Sequence, residues 1–279
     1  MIEIKTDVGI FTVEPHLKEN IDKNAISIAL VSHLSPDMTI NAINSFKKYS
    51  DIPIEIFVVD NFSDDETVKR LKEIDDINLI LNKGDFRSIL NGHKDSVLNG
   101  VGVDIASRFI ESKYMFVCHN DVIAYKKGWL NYLVSKLDDN VRGAAFCKDN
   151  GRILAMHVSG YLLDLELYKE LGPNWYPAWE NGSMYLDVGD HYTQALRDAN
   201  YDYFICPNTH NNPKLLSGLD DVLIEKHNIF ADKALSDSGE ILYLHLGRGI
   251  LKSAGRYSKP GRTNYDTWVK FGLEKLSSE

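Results

Sequence analysis

Two apolar stretches, about sixty residues apart, each run directly into acids, amides or a histidine. These polar groups are Asp60 and Asn61 after residues 56–59, and His119, Asn120 and Asp121 after residues 114–118. Apolar runs of this length, rich in Val, Ile and Phe, are typical of strands covered on both faces. Ligands of such sheets gather at the carboxyl ends of the strands. The sequence therefore predicts an α/β protein with a ligand site at one edge of its sheet.

The length and composition are those of a globular protein that forms either one large domain or a domain with a small appendage. Its 279 residues are 44% hydrophobic and 25% charged, which are ordinary values for an enzyme of this size. The net charge is −9, from 31 lysine and arginine residues against 40 aspartate and glutamate residues. This acidic balance argues against nonspecific binding to nucleic acid or to anionic lipid.

The cysteines and the first residues indicate a cytoplasmic protein. Cys118, Cys147 and Cys206 lie in apolar segments without disulfide or zinc spacing, which is typical of buried thiols in a reducing compartment. Residues 1–7 do not have the pattern of a signal or transit peptide. No apolar stretch approaches the roughly 20 residues that span a bilayer, so no transmembrane segment is expected.

The first half of the chain has the order of a doubly wound fold. Alternating apolar residues predict a hairpin within residues 1–24. Strands are predicted at residues 25–32, 54–59, 78–81 and 114–118, with helices starting at residues 36 and 64 and a third running through 106–110 after a polar, glycine-containing region at 82–102. This βαβαβ order predicts a parallel, right-handed arrangement.

The second half is less regular. Strands are predicted at residues 143–147, 153–158, 203–206 and 241–245, helices at 165–171 and 187–200, and a loop at 175–179. Residues 248–262 hold five basic residues, several glycines and no acid. This segment is interpreted either as a lid that closes over phosphates, with little contribution to the core, or as a solvated tail.

Taken in order, these pieces resemble the inverting family 2 glycosyltransferases of the GT-A fold, roughly from residue 26 to residue 245. The resemblance rests on residues 28–32, 58–64, 120–121, 167–172, 187–190, 196–201 and His245. The Asp-x-x-Asp form of residues 187–190 is closest to the rhamnosyltransferase-like branch. The resemblance implies a Rossmann-like nucleotide-binding half, a mixed central sheet with helices on both faces, and transfer of a sugar from a nucleotide diphosphate to a hydroxyl acceptor.

The resemblance also implies a division of the chain. Residues 1–24 are expected to form a hairpin extension, and residues 25–246 the GT-A domain, with a nucleotide-binding half at 25–122 and an acceptor half at 123–246. Residues 247–279 are then the basic carboxyl-terminal lid or tail. The expected partners are a UDP-, dTDP- or GDP-sugar and a saccharide or other hydroxyl acceptor.

In such enzymes a divalent cation, Mn²⁺ or Mg²⁺, neutralises the diphosphate. The resemblance implies Asp121 and His245 as ligands; the alternatives are a capping carboxylate and a core histidine. His119 stands where the family usually has the first Asp of Asp-x-Asp. It either ligates the cation or donates a hydrogen bond to ribose or phosphate. An imidazole shifts the preference toward Mn²⁺ or a later metal.

The donor is expected at the carboxyl ends of the first strands. The resemblance implies that Asp60 accepts the imide N–H of the base; the alternative is an Asx bond within its own turn. Further candidates for the donor site are Asn61, Asp85, Arg87, Asn120, Arg248 and Arg256. For Asp85 and Arg87 the alternative is the ordinary polarity of a surface loop.

Inversion at an anomeric carbon requires one carboxylate that takes the acceptor's proton. Asp187 and Asp190 are expected one turn apart at a helix start, where the ionised form is favoured, and one of them is the predicted base. Val188 departs from the acidic pair that the family often has here. Trp175 and Trp179 are predicted to stack on the acceptor's sugar face, with core packing as the alternative.

Two other functions are open. A sugar-phosphate nucleotidyltransferase shares the strand order, but it usually needs a glycine-rich basic loop after the first strand, and residues 32–36 lack one. A non-catalytic carbohydrate-binding or scaffold protein on a decayed transferase fold is compatible with His119. Donor hydrolysis in the presence of Mn²⁺ separates the catalytic and non-catalytic alternatives.

Overall fold

A nine-stranded mixed sheet forms the centre of the fold. The computed structural model describes residues 1–84, 94–149, 151–210, 215, 222–247 and 263–278. The strands are β1 (Ile2–Thr6), β2 (Gly9–His16), β3 (Ile26–Ser32), β4 (Ile54–Asn61), β5 (Asn78–Asn82), β6 (Tyr114–Cys118), β7 (Val122–Ala124), β8 (Val141–Ala145), β9 (Gly160–Asp164), β10 (Ala178–Glu180), β11 (Ser183–Leu186), β12 (Asp202–Ile205), β13 (Asp232–Leu235) and β14 (Ile241–His245). The helices are α1 (Pro36–Tyr49), α2 (Asp65–Lys72), α3 (Lys94–Ser107), α4 (Trp129–Val134), α5 (Leu165–Leu171), α6 (Asp190–Asp198), α7 (Val222–His227) and α8 (Tyr265–Ser277).

The central sheet has the strand order β1-β2-β5-β4-β3-β6-β9-β8-β12. Strands β5, β4, β3 and β6 run parallel, and α1, α2 and α3 connect them along the chain. Strand β9 is antiparallel to both β6 and β8, which makes the sheet mixed. The predicted α/β fold is confirmed. Because parallel strands end at the same edge, the residues that follow β4 and β6 lie on one side of the molecule.

Both faces of the parallel strands are buried, which explains their continuous apolar runs. Phe57 and Val59 of β4 belong to a hydrophobic cluster that includes residues of α3. Ile56 and Val58 of the same strand belong to a second cluster, with residues of α1, α2 and α4. Because side chains alternate along a strand, an unbroken apolar run is needed to supply both clusters.

The amino-terminal hairpin is part of the central sheet. Strands β1 and β2 pair antiparallel, and β2 pairs antiparallel with β5. Phe11 and Val13 of β2 are buried in the same cluster as α3. The hairpin thus extends the sheet beyond its parallel part, while the proposed domain boundaries at residues 24 and 246 stay predictions.

The first helices begin where the sequence signals indicate. Helix α1 starts at Pro36, and the side chain of Asp64 caps α2 by accepting the N–H of Thr67 at 2.8 Å. Helix α5 coincides with the predicted range and ends before Gly172, which has a φ of +67°. None of the helices in the described ranges has the length and apolarity of a bilayer-spanning segment.

Helix α3 begins at Lys94, earlier than the predicted start after residue 102. The prediction was late because two glycines lie inside this helix. A Cβ on Gly100 would lie 2.7 Å from the carbonyl oxygen of Trp175, and a Cβ on Gly102 would lie 2.7 Å from both Cγ atoms of Val31. The glycines therefore permit close packing of the helix and do not end it.

A second sheet, in the order β13-β14-β7, lies beside the central one. All of its pairings are antiparallel. The ring of Tyr243 in β14 stacks on Phe146 with centroids 4.3 Å apart, and its hydroxyl donates to the carbonyl of Ser159 at 2.8 Å. These contacts fix the small sheet against the loops that join β8 to β9.

Two predictions in the second half are wrong. Residues 153–158 were predicted to form a strand, but they form only one bridge, between Met156 and Lys148, and the strand is β9. The chain turns at Leu154, which has a φ of +58° and is 44% exposed, so the apolar run does not extend. The loop predicted at 175–179 instead runs into β10, which pairs with β11 as a hairpin.

The carboxyl-terminal helix corrects the interpretation as a lid or tail with little core for residues 265–277, whereas residues 248–262 lie outside the described residues and stay a predicted lid or tail. Helix α8 packs on α1, and Asn41 of α1 donates its amide to the carbonyl of Val269 at 2.9 Å. Trp268 and Phe271 are buried in a hydrophobic cluster with Met38 of α1. Residues 265–277 are therefore part of the folded core.

Replacing Trp268 with alanine is expected to lower the free energy of unfolding by about 3–5 kcal/mol, because the side chain is fully buried and leaves a cavity. Leu273→Ala on the same helix is the control, since Leu273 is 53% exposed and its loss should change stability by at most about 0.5 kcal/mol. Urea unfolding of both variants measures the difference. Equal, small effects would show that α8 does not contribute to the core.

Candidate functional site

The small sheet brings two acids and an imidazole to one edge. His245, the last residue of β14, pairs with Val122 of β7 on one side and with Asp232 of β13 on the other. Asp121 directly precedes β7, and its carbonyl accepts the N–H of Leu246 at 2.9 Å. Because directly paired residues in antiparallel strands share a face, Asp232 and His245 lie side by side.

His119, Asp121 and His245, the three predicted metal ligands, come together in the structure. Nδ1 of His119 lies 3.4 Å from Nε2 of His245 and 3.7 Å from Oδ1 of Asp121, and the last two atoms are 3.6 Å apart. Atoms with these separations all lie about 2.1 Å from one common point, which is a normal bond length from nitrogen or oxygen to a divalent cation. The group therefore fits a cation.

Two more histidines and a second carboxylate extend this group. Nδ1 of His210 lies 2.9 Å from Oδ2 of Asp232, and Nδ1 of His245 lies 3.7 Å from the same oxygen. The ring centroid of His157 is 4.8 Å from that of His210 and 5.5 Å from that of His245. We call His119, His157, His210, His245, Asp121 and Asp232 the histidine cluster.

Burial favours the neutral form of two of these imidazoles, His245 and His157. It lowers the pKa of His245, although the carboxylate of Asp121 acts in the opposite direction. It also lowers the pKa of His157 well below the usual value, and the three neighbouring imidazoles add to the effect. A neutral imidazole has one nitrogen with a lone pair for a metal, which a protonated imidazole lacks. Burial therefore favours, for His245 and His157, the form that can bind a cation.

Asp60 lies at the carboxyl end of β4, as predicted, but it is only 1% exposed. Its Oδ1 accepts the hydroxyl of Ser63 at 2.6 Å, and its Oδ2 accepts the backbone N–H of the same residue at 3.1 Å. Burial raises the pKa of this carboxyl. Asp60 thus stabilises the turn before α2, as the alternative interpretation of the sequence proposed. Its contact with a nucleotide stays a prediction.

The two candidate amides are engaged within the protein. Asn61 donates from Nδ2 to the carbonyl of Leu98 at 2.8 Å and accepts from Asn82 at its Oδ1 at 3.0 Å. Asn120 donates from Nδ2 to the hydroxyl of Ser35 at 2.6 Å. These bonds join β4 to α3 and the end of β6 to the start of α1. Both amides therefore shape the edge of the sheet, and their contact with a donor stays a prediction.

A second cluster, which we call the acid cluster, consists of Arg152 and the three carboxylates around it, Asp149, Asp187 and Asp190. Nε of Arg152 donates to Oδ2 of Asp190 at 2.9 Å, and its guanidinium lies 3.6 Å from Oδ2 of Asp187 and pairs with Asp149. The side chain of Asp190 is 2% exposed, whereas that of Asp187 is 25% exposed. The positive charge of Arg152 also lowers the pKa of His157, so this acid cluster adjoins the histidine cluster.

The expected geometry of Asp187 and Asp190 is corrected in two ways. Helix α6 begins at Asp190, so Asp187 lies in the preceding turn, where its N–H donates to Oδ2 of Asp190 at 2.8 Å. Burial raises the pKa of Asp190 to about 6, against the opposing effects of that hydrogen bond and of Arg152. The helix amino terminus was expected to favour the ionised form, but burial outweighs it.

Gly189 sets the spacing of the two acids. Its φ is +78°, and a Cβ at this position would lie 2.7 Å from the hydroxyl oxygen of Tyr161. Only glycine fits both the left-handed backbone and the close contact. The turn therefore holds Asp187 and Asp190 in a fixed arrangement.

The predicted acceptor contact of Trp175 is wrong, because this residue is 1% exposed and stacks on Tyr168 with centroids 4.6 Å apart. Trp179 is 38% exposed on β10, and Tyr185 is 44% exposed on β11. The hairpin that carries them leads directly into Asp187. Stacking of Trp179 on an acceptor stays a prediction. Four predicted donor contacts lie outside the described residues: Asp85, Arg87, Arg248 and Arg256.

Sequence reasoning missed Asp149, which lies three residues from Arg152, and four other residues of the two clusters: Arg152, His157, His210 and Asp232. One usable signal was His157, an isolated imidazole within an apolar run. The His210–Asp232 and Arg152–Asp190 pairs form only through the fold. Asp232 is 22 residues from His210, and Arg152 is 38 residues from Asp190.

Residues 27–152 match the family model Glycosyl transferase family 2. This range includes the parallel half of the sheet, from β3 to β8, and it contains His119, Asp121 and Arg152. The predicted resemblance to the family 2 glycosyltransferases is confirmed over these residues, and the rhamnosyltransferase-like branch stays a prediction. Among curated proteins, no sequence matches the chain.

Several solved structures are similar to this fold. A mannosyltransferase from Pyrobaculum calidifontis, in complex with GDP-Man and Mn²⁺, has a TM-score of 0.47 and 15% identity, with 65% of this chain and 54% of that chain covered. S. aureus TarS with UDP-GlcNAc has a TM-score of 0.44 and 15% identity, with 65% and 55% covered. Glucosyl-3-phosphoglycerate synthase from Mycobacterium tuberculosis, with Mn²⁺, UDP and glucosyl-3-phosphoglycerate, has a TM-score of 0.46 and 12% identity, with 65% and 69% covered. The chain spans about half the length of the first two.

Proposed function

Because residues 27–152 match the family model Glycosyl transferase family 2, we propose that the chain moves a sugar from a nucleotide-diphosphate donor to a hydroxyl acceptor, with inversion and with the help of a divalent cation. The observation that carries the proposal is the adjacency of a cation-binding group and a buried carboxylate of raised pKa. Both serve transfer from a nucleotide diphosphate, since a cation neutralises the anionic leaving group and a carboxylate takes the proton that the attacking hydroxyl loses.

The cation would be held by Oδ1 of Asp121, Nε2 of His245 and Nδ1 of His119. When bound, a divalent cation neutralises the charge of the departing diphosphate. The donor set of one oxygen and two nitrogens favours Mn²⁺ over Mg²⁺, because Mg²⁺ prefers oxygen ligands. His119 is 24% exposed and Asp121 and His245 are buried, so the group faces outward through His119.

For the donor we propose a UDP-, dTDP- or GDP-sugar placed along the edge formed by the ends of β4 and β6. The position of Asp60 at a strand end supports this placement, because open α/β sheets bind nucleotides there. Release of one hydrogen bond from Ser63 would free a carboxylate oxygen for the base or ribose.

For the base we propose Asp190, with Asp187 as the alternative. A general base works best when its pKa lies near the working pH, and burial raises the pKa of Asp190 to about 6. In the reaction the acceptor oxygen bonds to the anomeric carbon as the bond to the diphosphate breaks, and the acceptor's proton passes to Asp190. Arg152, bonded to Oδ2, orients the carboxylate.

For the acceptor we propose a saccharide or other hydroxyl compound that contacts the hairpin of β10 and β11. Trp179 and Tyr185 are its exposed aromatic residues, and flat rings suit the C–H faces of sugars. The hairpin leads into the turn that holds the proposed base, so an acceptor bound there lies near it.

Incubation with UDP-, GDP- and dTDP-sugars, each with Mn²⁺, with Mg²⁺ or with EDTA, tests the function. We expect release of nucleoside diphosphate from one donor class, faster with Mn²⁺ than with Mg²⁺ and lost with EDTA, because water replaces a missing acceptor. Proton NMR of the freed sugar gives the anomeric configuration and hence inversion. Donor binding without any turnover, with or without Mn²⁺, would instead favour the carbohydrate-binding alternative.

A further inference from the structure

His245 lies between two carboxylates, each of which faces one of its ring nitrogens. Nε2 lies 3.6 Å from Oδ1 of Asp121, and Nδ1 lies 3.7 Å from Oδ2 of Asp232. The residue is 3% exposed, and among the described residues its Nδ1 has no hydrogen-bond partner. Two groups of possible cation ligands therefore share this one ring, the first with His119 and Asp121 and the second with His210 and Asp232.

One neutral imidazole completes only one of these groups. It has a lone pair on one nitrogen and a proton on the other, so a cation on one side leaves an N–H on the opposite side. The neutral ring of His245 can therefore bind a cation through Nε2 or through Nδ1, but not through both.

The contact between His210 and Asp232 favours cation binding on the Nε2 side of His245. Nδ1 of His210 lies 2.9 Å from Oδ2 of Asp232, and because an ionised carboxylate only accepts, this contact is a hydrogen bond when Nδ1 carries the ring proton. That nitrogen then has no lone pair for a cation. On the other side, His119 is partly exposed, and its Nδ1 faces both Asp121 and His245.

We infer that His245 binds the cation through Nε2 and that Asp232 and His210 are positioning residues that hold its N–H on Nδ1. This inference rests on the cation site of the proposed function. At 3.7 Å the contact between Nδ1 and Asp232 is electrostatic and too long for a hydrogen bond. A buried carboxylate at this distance still favours the tautomer with the proton on Nδ1, and His210 keeps that carboxylate in place.

The strand register supports this assignment. Asp232 and His245 are direct partners across the β13–β14 pair, so the sheet itself fixes their separation. Val122, which follows the ligand Asp121, pairs with His245 on the other side. The positioning carboxylate lies on β13, the imidazole on β14 and the cation ligand directly before β7, so the backbone bonds of three adjacent strands hold them in order.

The test measures cation binding without nucleotide, by calorimetry with Mn²⁺ and by the absorption spectrum of Co²⁺. We expect one ion per chain in the unmodified protein. Asp232→Asn should weaken binding by about 10–100-fold, because an outer partner of a metal-bound histidine contributes about that much. His210→Gln should weaken it less, and Asp232→Glu should recover part of the affinity. The Co²⁺ spectrum should shift in Asp232→Asn.

Asp237→Asn is the matched control, since this carboxylate lies in the turn between the same two strands and is 66% exposed. It should leave the affinity and the spectrum unchanged. Two ions per chain in the unmodified protein, with one lost in Asp232→Asn, would overturn the inference in favour of a second cation site. Unchanged affinity in Asp232→Asn would overturn the inference alone. A lack of cation binding by the unmodified protein would overturn both the inference and the metal-assisted function.

Discussion

Replacing Asp190 with asparagine is expected to lower the turnover of donor by roughly 10²-fold or more, as the loss of a general base does. Donor affinity should change little, because Asp190 belongs to the acid cluster and none of the proposed donor contacts involves it. Asparagine keeps the shape of the side chain and can still accept from Arg152, so the turn before α6 should stay intact. Single-turnover kinetics with saturating donor measure the loss directly.

The pH dependence of kcat/KM should also identify Asp190 as the base. A base acts only when it is deprotonated, so kcat/KM should fall as the pH drops below about 6, where burial places the pKa of Asp190. The charge of Asp187 raises that pKa and the guanidinium of Arg152 lowers it. Asp187→Asn should therefore move the acid limb to lower pH, whereas Arg152→Gln should move it to higher pH.

Asp198→Asn is the control for these variants, because Asp198 is exposed near the end of the same helix. It should leave both the rate and the pH profile unchanged. If Asp187→Asn abolishes turnover while Asp190→Asn retains it, Asp187 is the base and Asp190 supports the turn. If both variants stay active, the base lies in another part of the chain.

The parallel half of the fold could be predicted because its strands are buried on both sides. The side chains of residues 56–59 alternate between two hydrophobic clusters, one on each face of the sheet. All four residues must therefore be apolar, and such a run can be recognised in the sequence. Pro36 and Asp64 mark helix starts through local chemistry that needs no tertiary contact. Predictions succeed where the constraint acts within a few residues.

The second half could not be predicted in the same way, since tertiary contacts override its local pattern. The apolar run before His157 resembles a strand, but Leu154 adopts a positive φ and the chain turns. Gly100 and Gly102 suggested a loop, although close packing against Trp175 and Val31 requires them inside α3. The sequence shows that a glycine is present but does not show what lies against it.

The same distinction applies to the candidate site. The positions of Asp121 and His245 at strand ends could be predicted from the apolar runs before them, whereas their proposed role as ligands came from the family resemblance. Asp232 and Arg152 could not, since each acts through a partner that only the fold brings near. The raised pKa of Asp190 also depends on burial, which no residue spacing encodes.

Replacing Asp121 with alanine is expected to abolish the dependence of nucleotide-diphosphate binding on Mn²⁺. The carboxylate is the one anionic ligand in the proposed group, so the variant would keep two neutral imidazoles and lose the charge that attracts the cation. Loss of a direct ligand should weaken Mn²⁺ binding by more than about 10²-fold, the upper range for an outer partner. Titration of UDP, GDP and dTDP with and without Mn²⁺ measures the change.

Two controls make the result specific to the cation. Asp139→Ala removes an exposed carboxylate in the loop before β8 and should leave the dependence on Mn²⁺ intact. His119→Gln should weaken Mn²⁺ binding less than Asp121→Ala, because the amide oxygen of glutamine can still coordinate while the charged ligand stays in place. If the unmodified protein binds each nucleotide equally well in EDTA and in Mn²⁺, no cation bridges the diphosphate. In that case Asp121 and His245 serve the packing of β7 against β14, and another group must neutralise the negative charge of the departing diphosphate.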